Sequence, residues 1–340
     1  MTQNFSVKYE DIIKHRSVWM GLAIIMVCIL HYTDGNGFVI HTIKGICEGA
    51  VDIFFFASGI GCYHSLQANP DTWSFFKKRI QRVYFVWLPL ITLHMIITSL
   101  MGEKYNFFQI IGNLLCVGSR AGVGNTFNWY ESALWIFYII APLLVSFVDT
   151  NQEKIHLLFF GFLVLFLIST CFFEDYNGII TFSRMPNAYS GIVFAAIGNR
   201  KKTFSRKQIL SLYLLSIIGL FLMEFCNLYA RNLLWDYGLY WYPFILITPG
   251  MCIFISSLFD KLEKIDLIIS YIGKHSYEIY LVHESLNDIV FRRLINYTNC
   301  IEKWLTQFKI ISFILSISLG ILYKKLFSYY MRKIRQPAHR

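Results

Sequence analysis

The groups best suited to chemistry in this chain are His31 and Asp52, and they stand in apolar surroundings. Arg16 opens an apolar run about as long as one membrane span, and His31 lies near its far end. After a short Gly-rich loop, Asp52 enters the next apolar run from the same side, within GAVDIFFFASGIG. An ionisable group inside a bilayer is expensive, so one that is kept there points to function. Imidazole titrates near neutrality and can take up a proton. A carboxylate at the same depth can fix its tautomer and stabilise the imidazolium. Shared depth therefore predicts a His31–Asp52 dyad, a base with its partner.

The scaffold around these groups is set by composition. Of 340 residues, 56% are hydrophobic, 18% aromatic and only 15% charged, and the apolar residues fall in repeated blocks. Such a chain is a polytopic membrane protein. The net charge of +10 does not indicate nucleic acid, because the basic residues form short clusters between apolar blocks, as in FKKRIQRVY at 76–84 and NRKKTFSRK at 199–207. That is the pattern of cytoplasmic loops. The eight cysteines are scattered, with no CxxC and no His/Cys spacing suited to zinc, so no metal site is expected. The first apolar run is not followed by a small-residue cleavage site and is expected to remain as a helix.

About ten spans fit the hydropathy and the charges, at 17–34, 50–67, 84–101, 129–148, 156–173, 185–199, 208–228, 239–258, 268–287 and 309–328. They make one all-α bundle over residues 1–340, with both termini cytoplasmic. Pro89 predicts a kink in the third span, and the amphipathic stretch 106–118 is expected at the outer surface. In this topology His31, Asp52, Glu131, Arg184, His283 and Glu284 converge near the outer leaflet. Arg16, Lys77, Lys78, Arg79, Arg82 and Lys274 gather at the inner face, where they can meet phosphates or lipid headgroups. The GIG at 59–61 reads as close helix packing rather than a nucleotide loop.

Four blocks in order, GLAIIMVCILH at 21–31, GAVDIFFFASGIG at 49–61, WYESALWIFYIIAP at 129–142 and YIGKHSYEIYLVH at 271–283, with RMPNAYSG at 184–191 as a fifth, resemble the membrane-bound acyltransferase-3 family. Members of that family O-acylate cell-envelope and exported glycans in bacteria. The commoner family pattern places an Arg where this chain has Met20, and a carboxylate where it has Leu134 and Trp135. Arg16 and Glu131 lie one helical turn away from those positions, which preserves the helix face.

The resemblance implies an O-acyltransferase of the bacterial inner membrane, most often an O-acetyltransferase. Its donor would be acetyl-CoA or another acyl-CoA, and its acceptor a glycan or lipid-linked sugar. Transfer from a thioester to a sugar hydroxyl needs a base and groups that hold the developing oxyanion. His31 is the expected base, with Asp52 as partner and Arg16 as the displaced family Arg. Glu131, Tyr138, Arg184 and His283 are the expected acceptor-pocket residues. Arg79, Arg82 and Lys274, with Arg16, are the expected holders of the donor phosphates. Arg16 and His31 are separated by roughly 22 Å of helix at 1.5 Å per residue, so the donor needs either an extended arm inside the bundle or an intermediate carrier. Two other readings use the same polar groups: a transporter or flippase for a lipid-linked sugar, and a noncatalytic module on the same fold.

Overall fold

The computed structural model describes residues 6–33, 37–117, 129–171, 176–230, 238–294 and 305–335. A short strand β1 (Ser6–Lys8) and helix α1 (Tyr9–Ile13) lead into α2 (Arg16–Tyr32), the first long apolar helix. The segment read as a loop holds a helix, α3 (Phe38–Glu48), which runs to Gly49 and into α4 (Ala50–Ala68). Next come α5 (Thr72–Arg79), whose N-terminus is capped by Asp71, a π-helical turn at Ile80–Tyr84, and α6 (Phe85–Leu100), which contains Pro89. The amphipathic stretch becomes α7 (Phe107–Leu114), started by a capping box between Asn106 and Gln109.

The remaining α-helices are α8 (Trp129–Thr150), α9 (Ile155–Cys171), α10 (Tyr176–Lys201), α11 (Arg206–Phe225), α12 (Pro243–Phe259), α13 (Glu263–Gly273), α14 (Ser276–Leu286) and α15 (Leu305–Arg335). The fold is an all-α polytopic bundle. Among the described residues seven helical stretches are long and apolar enough to cross a membrane. The segments expected at 156–173, 185–199 and 268–287 are not in that set. The described part of α9 has 17 residues, α10 carries Arg184 and Asn187, and the last segment is broken at Lys274 and His275 into α13 and α14.

Small residues bring the central helices together. The most extensive contact joins α4 to α10, where a Cβ on Gly59 would fall on the Ala188 carbonyl and one on Gly191 on the Phe56 carbonyl. The two backbones thus touch, as small-residue crossings in membranes require. A similar approach seats Gly273 at the end of α13 against the Ser17 carbonyl of α2. The only described sheet pairs β1 antiparallel with β2 (Thr203–Ser205), Val7 opposite Phe204, and ties the N-terminus beside the basic 199–207 cluster.

Candidate active site

Histidine and carboxylate meet at one end of the bundle, with partners other than those expected. His31, in the last turn of α2, places Nδ1 2.7 Å from Nε2 of His283 and 3.2 Å from Oε1 of Glu284, both on α14. Oε1 of Glu284 lies 3.9 Å from Nε2 of His283. His283 is fully buried, Glu284 nearly so, and the His31 side chain remains 32% exposed. The imidazole planes differ by 14° with centroids 4.9 Å apart. Because their nitrogens approach closer than two ring faces can, the rings meet edge to edge and share a hydrogen bond. The edge of Tyr32 packs on His283, and its hydroxyl is 3.2 Å from that of Ser316 on α15.

His31, His283 and Glu284 are also the one group among the described residues whose His, Cys, Asp or Glu ligand atoms lie close enough together, within 4.8 Å, to hold a metal ion. The 2.7 Å contact between the two nitrogens is a hydrogen-bond distance, in which one imidazole donates to the other. The arrangement is therefore that of a proton-sharing triad. An ionised carboxylate only accepts, so Glu284 favours the tautomer of His31 with its proton on Nδ1. Nε2 is then the unprotonated ring nitrogen.

Asp52 is not the partner of His31. Fully buried in α4, it is hydrogen-bonded and ion-paired to Arg184 and accepts from Nδ2 of Asn187 at 2.7 Å, both on α10. Arg184 also lies 3.8 Å from Glu48 and its guanidinium stands 4.9 Å over the Trp241 ring. Depth alone was a poor guide, because two groups at one level can face different neighbours around the bundle. Asp52 and Arg184 join α4 to α10, and Arg184 is 1% exposed with its Nε buried and without a hydrogen-bond partner. Glu131 is fully buried on α8 and neither of its oxygens has a hydrogen-bond partner.

A cavity of about 780 Å³ opens at the basic end and runs into the bundle. Arg16, Arg79, Arg82 and Lys274, the four residues expected at phosphates, all line it. Tyr138, expected at the acceptor, lines it too, beside Arg79 rather than near His31. Met20 and Leu134, at the positions that depart from the commoner family pattern, form part of the same wall. The guanidinium of Arg79 is held between the rings of Phe75 and Tyr138, at 4.8 and 5.1 Å, and its Nη2 donates to the Gly61 carbonyl at 3.4 Å. Among the described residues no carboxylate pairs with Arg16, Arg79 or Arg82, and Glu278 in the lining is engaged by Lys324 at 3.3 Å. Uncompensated guanidinium groups in a cavity call for an anionic ligand.

The cavity and the histidine triad are joined by α14. Tyr277 and Tyr280 line the cavity, and Glu284 follows on the same helix face, one turn beyond Tyr280. The buried Tyr280 hydroxyl has no hydrogen-bond partner. Sequence reasoning passed over Tyr280, Phe75 and Lys324, and it read Gly61 as helix packing, whereas Gly61 lines the cavity beside Arg16. It also passed over His94, which binds Ser285 at 2.8 Å and Asp288 at 3.4 Å and so ties α6 to the segment after His283. Glu284 carried a visible signal, its position next to His283 at a helix end, but was not given a role.

No curated protein and no solved structure matches this chain. The profile of the acyltransferase-3 family, described as an acyltransferase domain, matches residues 20–329 and so takes in both the cavity and the triad. With nearly the whole chain inside that match, the protein belongs to the acyltransferase-3 family and is a multi-pass membrane acyltransferase.

Proposed function

We propose that the protein is an O-acyltransferase, specifically an O-acetyltransferase, that moves an acyl group from acetyl-CoA or a related acyl-CoA to a sugar hydroxyl of a surface or exported glycan, presented free or lipid-linked. The membrane is the bacterial inner membrane, with the basic end and both termini in the cytoplasm. The observation that carries this reading is one continuous scaffold with an anion-seeking cavity at its basic end and a histidine–carboxylate triad at the other. Donor phosphates sit at Arg16, Arg79, Arg82 and Lys274. The arm of the donor extends along the cavity toward Tyr280, which favours a single extended donor over an intermediate carrier.

In the reaction Nε2 of His31 takes the proton of the acceptor hydroxyl while Glu284 stabilises the imidazolium. The oxygen attacks the thioester carbonyl, the C–S bond breaks, and the sulfur leaves with the proton returned by His31. The Tyr280 hydroxyl, buried with no hydrogen-bond partner, donates to the developing oxyanion. Asp52 and Arg184 act as a structural clasp that keeps this end of the bundle in register.

Mass spectrometry of the surface glycan and its lipid-linked precursors from wild-type, deletion and His31→Ala cells tests the proposal. An acyl mass increment present with wild type alone is expected. Unmodified glycan in all three strains, retained inside the mutants, would replace this reading with transport. No difference among the strains would favour a noncatalytic module.

A further inference from the structure

Arg16 and Arg79 come from different helices and converge on one residue. A Cβ built on Gly61 would lie 3.2 Å from Nη1 of Arg16. The Gly61 carbonyl accepts from Nη2 of Arg79 at 3.4 Å. Gly61 thus leaves room for one guanidinium and ties down the other, and all three residues line the cavity. Nε of Arg79 is buried without a hydrogen-bond partner. Two cations brought this close with no described carboxylate to separate them repel one another, and a ligand carrying at least two negative charges would relieve that repulsion.

Nothing about helix packing requires a glycine here, unlike Gly59 two residues earlier. The nearest neighbour of a Gly61 side chain would be the tip of Arg16 and not a backbone. The missing side chain therefore serves the position of Arg16, which stands one turn before Met20.

We propose that Gly61 is a positioning residue that lets Arg16 and Arg79 bind a single diphosphate group. The inference rests on the donor reading above only for the identity of the ligand as a coenzyme A thioester; the two-arginine site itself is a claim about diphosphate. Each guanidinium contributes charge-assisted hydrogen bonds to one of the two phosphates.

The test is calorimetric titration of the full-length protein in detergent with sodium pyrophosphate and, separately, with coenzyme A, for wild type, Arg16→Gln, Gly61→Ala, Gly61→Leu and the Arg16→Gln/Gly61→Leu double variant. Thermal unfolding of each variant shows whether it is folded, and Gly61→Ala is the mild variant should Gly61→Leu fail. Arg16→Gln is expected to weaken pyrophosphate binding about tenfold or more, the loss of a charged hydrogen bond. Gly61→Leu should weaken it comparably by displacing Arg16, and Gly61→Ala less. The double variant should bind no more weakly than Arg16→Gln alone, because Gly61 acts through that side chain.

Additive losses in the double variant, or unchanged binding by Gly61→Leu, would overturn the inference while coenzyme A binding by wild type left the donor reading standing. Pyrophosphate binding with the expected non-additivity but no coenzyme A binding would support the two-arginine site and remove the donor reading. Absence of binding by both ligands would overturn both.

Discussion

Replacing Glu284 by Gln separates the triad described here from a His31–Asp52 dyad. The amide keeps the size of the side chain and removes the negative charge 3.2 Å from Nδ1 of His31. The charge matters most when His31 has accepted the hydroxyl proton, so the loss falls on the transition state rather than on binding. A hydrogen bond to a charged group contributes about 1.5–3 kcal/mol, and each 1.36 kcal/mol is tenfold in rate. The expected fall in kcat is therefore about tenfold to a hundredfold, with KM for the donor and the unfolding temperature little changed. Asp52→Asn should behave differently. It removes one partner of a buried ion pair, which costs on the order of 3–5 kcal/mol of stability, and should appear first as a lower unfolding temperature. The assay is acyl transfer from acetyl-CoA by the purified protein, with the rate followed by release of free thiol, beside thermal unfolding of each variant. If Glu284→Gln kept its kcat while Asp52→Asn lost it at an unchanged unfolding temperature, the triad would be wrong and the dyad right.

Arg79→Lys should raise KM for the donor about tenfold with kcat nearly unchanged, since an ammonium cannot reproduce the planar fit between Phe75 and Tyr138 or the fork presented to a phosphate; initial-rate kinetics at varied donor check this. Gly59→Ala and Gly191→Ala should each lower stability by about 1–3 kcal/mol through overpacking against the facing carbonyl, measured by unfolding in detergent. At the basic end, Lys14 and then His15 hold the Asp260 carboxyl below the usual carboxylate range. A depressed folded pKa means that this contribution is present above about pH 4, the ordinary carboxylate value, and is lost as pH falls through the lower folded value. Unfolding temperatures of wild type and Asp260→Asn between pH 6 and 3 should therefore converge toward the acid end of that range, and a constant difference would contradict it.

Much of the architecture could be read from the chain because hydropathy is a local property. Apolar runs of sufficient length make helices and assign them to the membrane, whatever they pack against. The basic run at 76–84 and Lys274 could be placed at one end, and His31 and His283 at the other, by counting residues along helices. Arg16, Arg79, Arg82 and Lys274 do share one cavity, because groups at one end of a narrow bundle have few other places to point. The interruption at Lys274 and His275 and the π-helical turn at Ile80–Tyr84 were not legible, since both depend on packing that the sequence does not display.

What the sequence by itself determined is each polar group's depth, which a single helix sets through its rise of 1.5 Å per residue. What only the tertiary structure decided is which groups at a given depth face one another. Asp52 and Arg184 are 132 residues apart in the chain, and His31 and His283 are 252. Their pairing follows from the order and rotation of the helices around the bundle, fixed where Gly59 and Gly191 let two backbones touch. Depth is one coordinate, and partnership requires the other two.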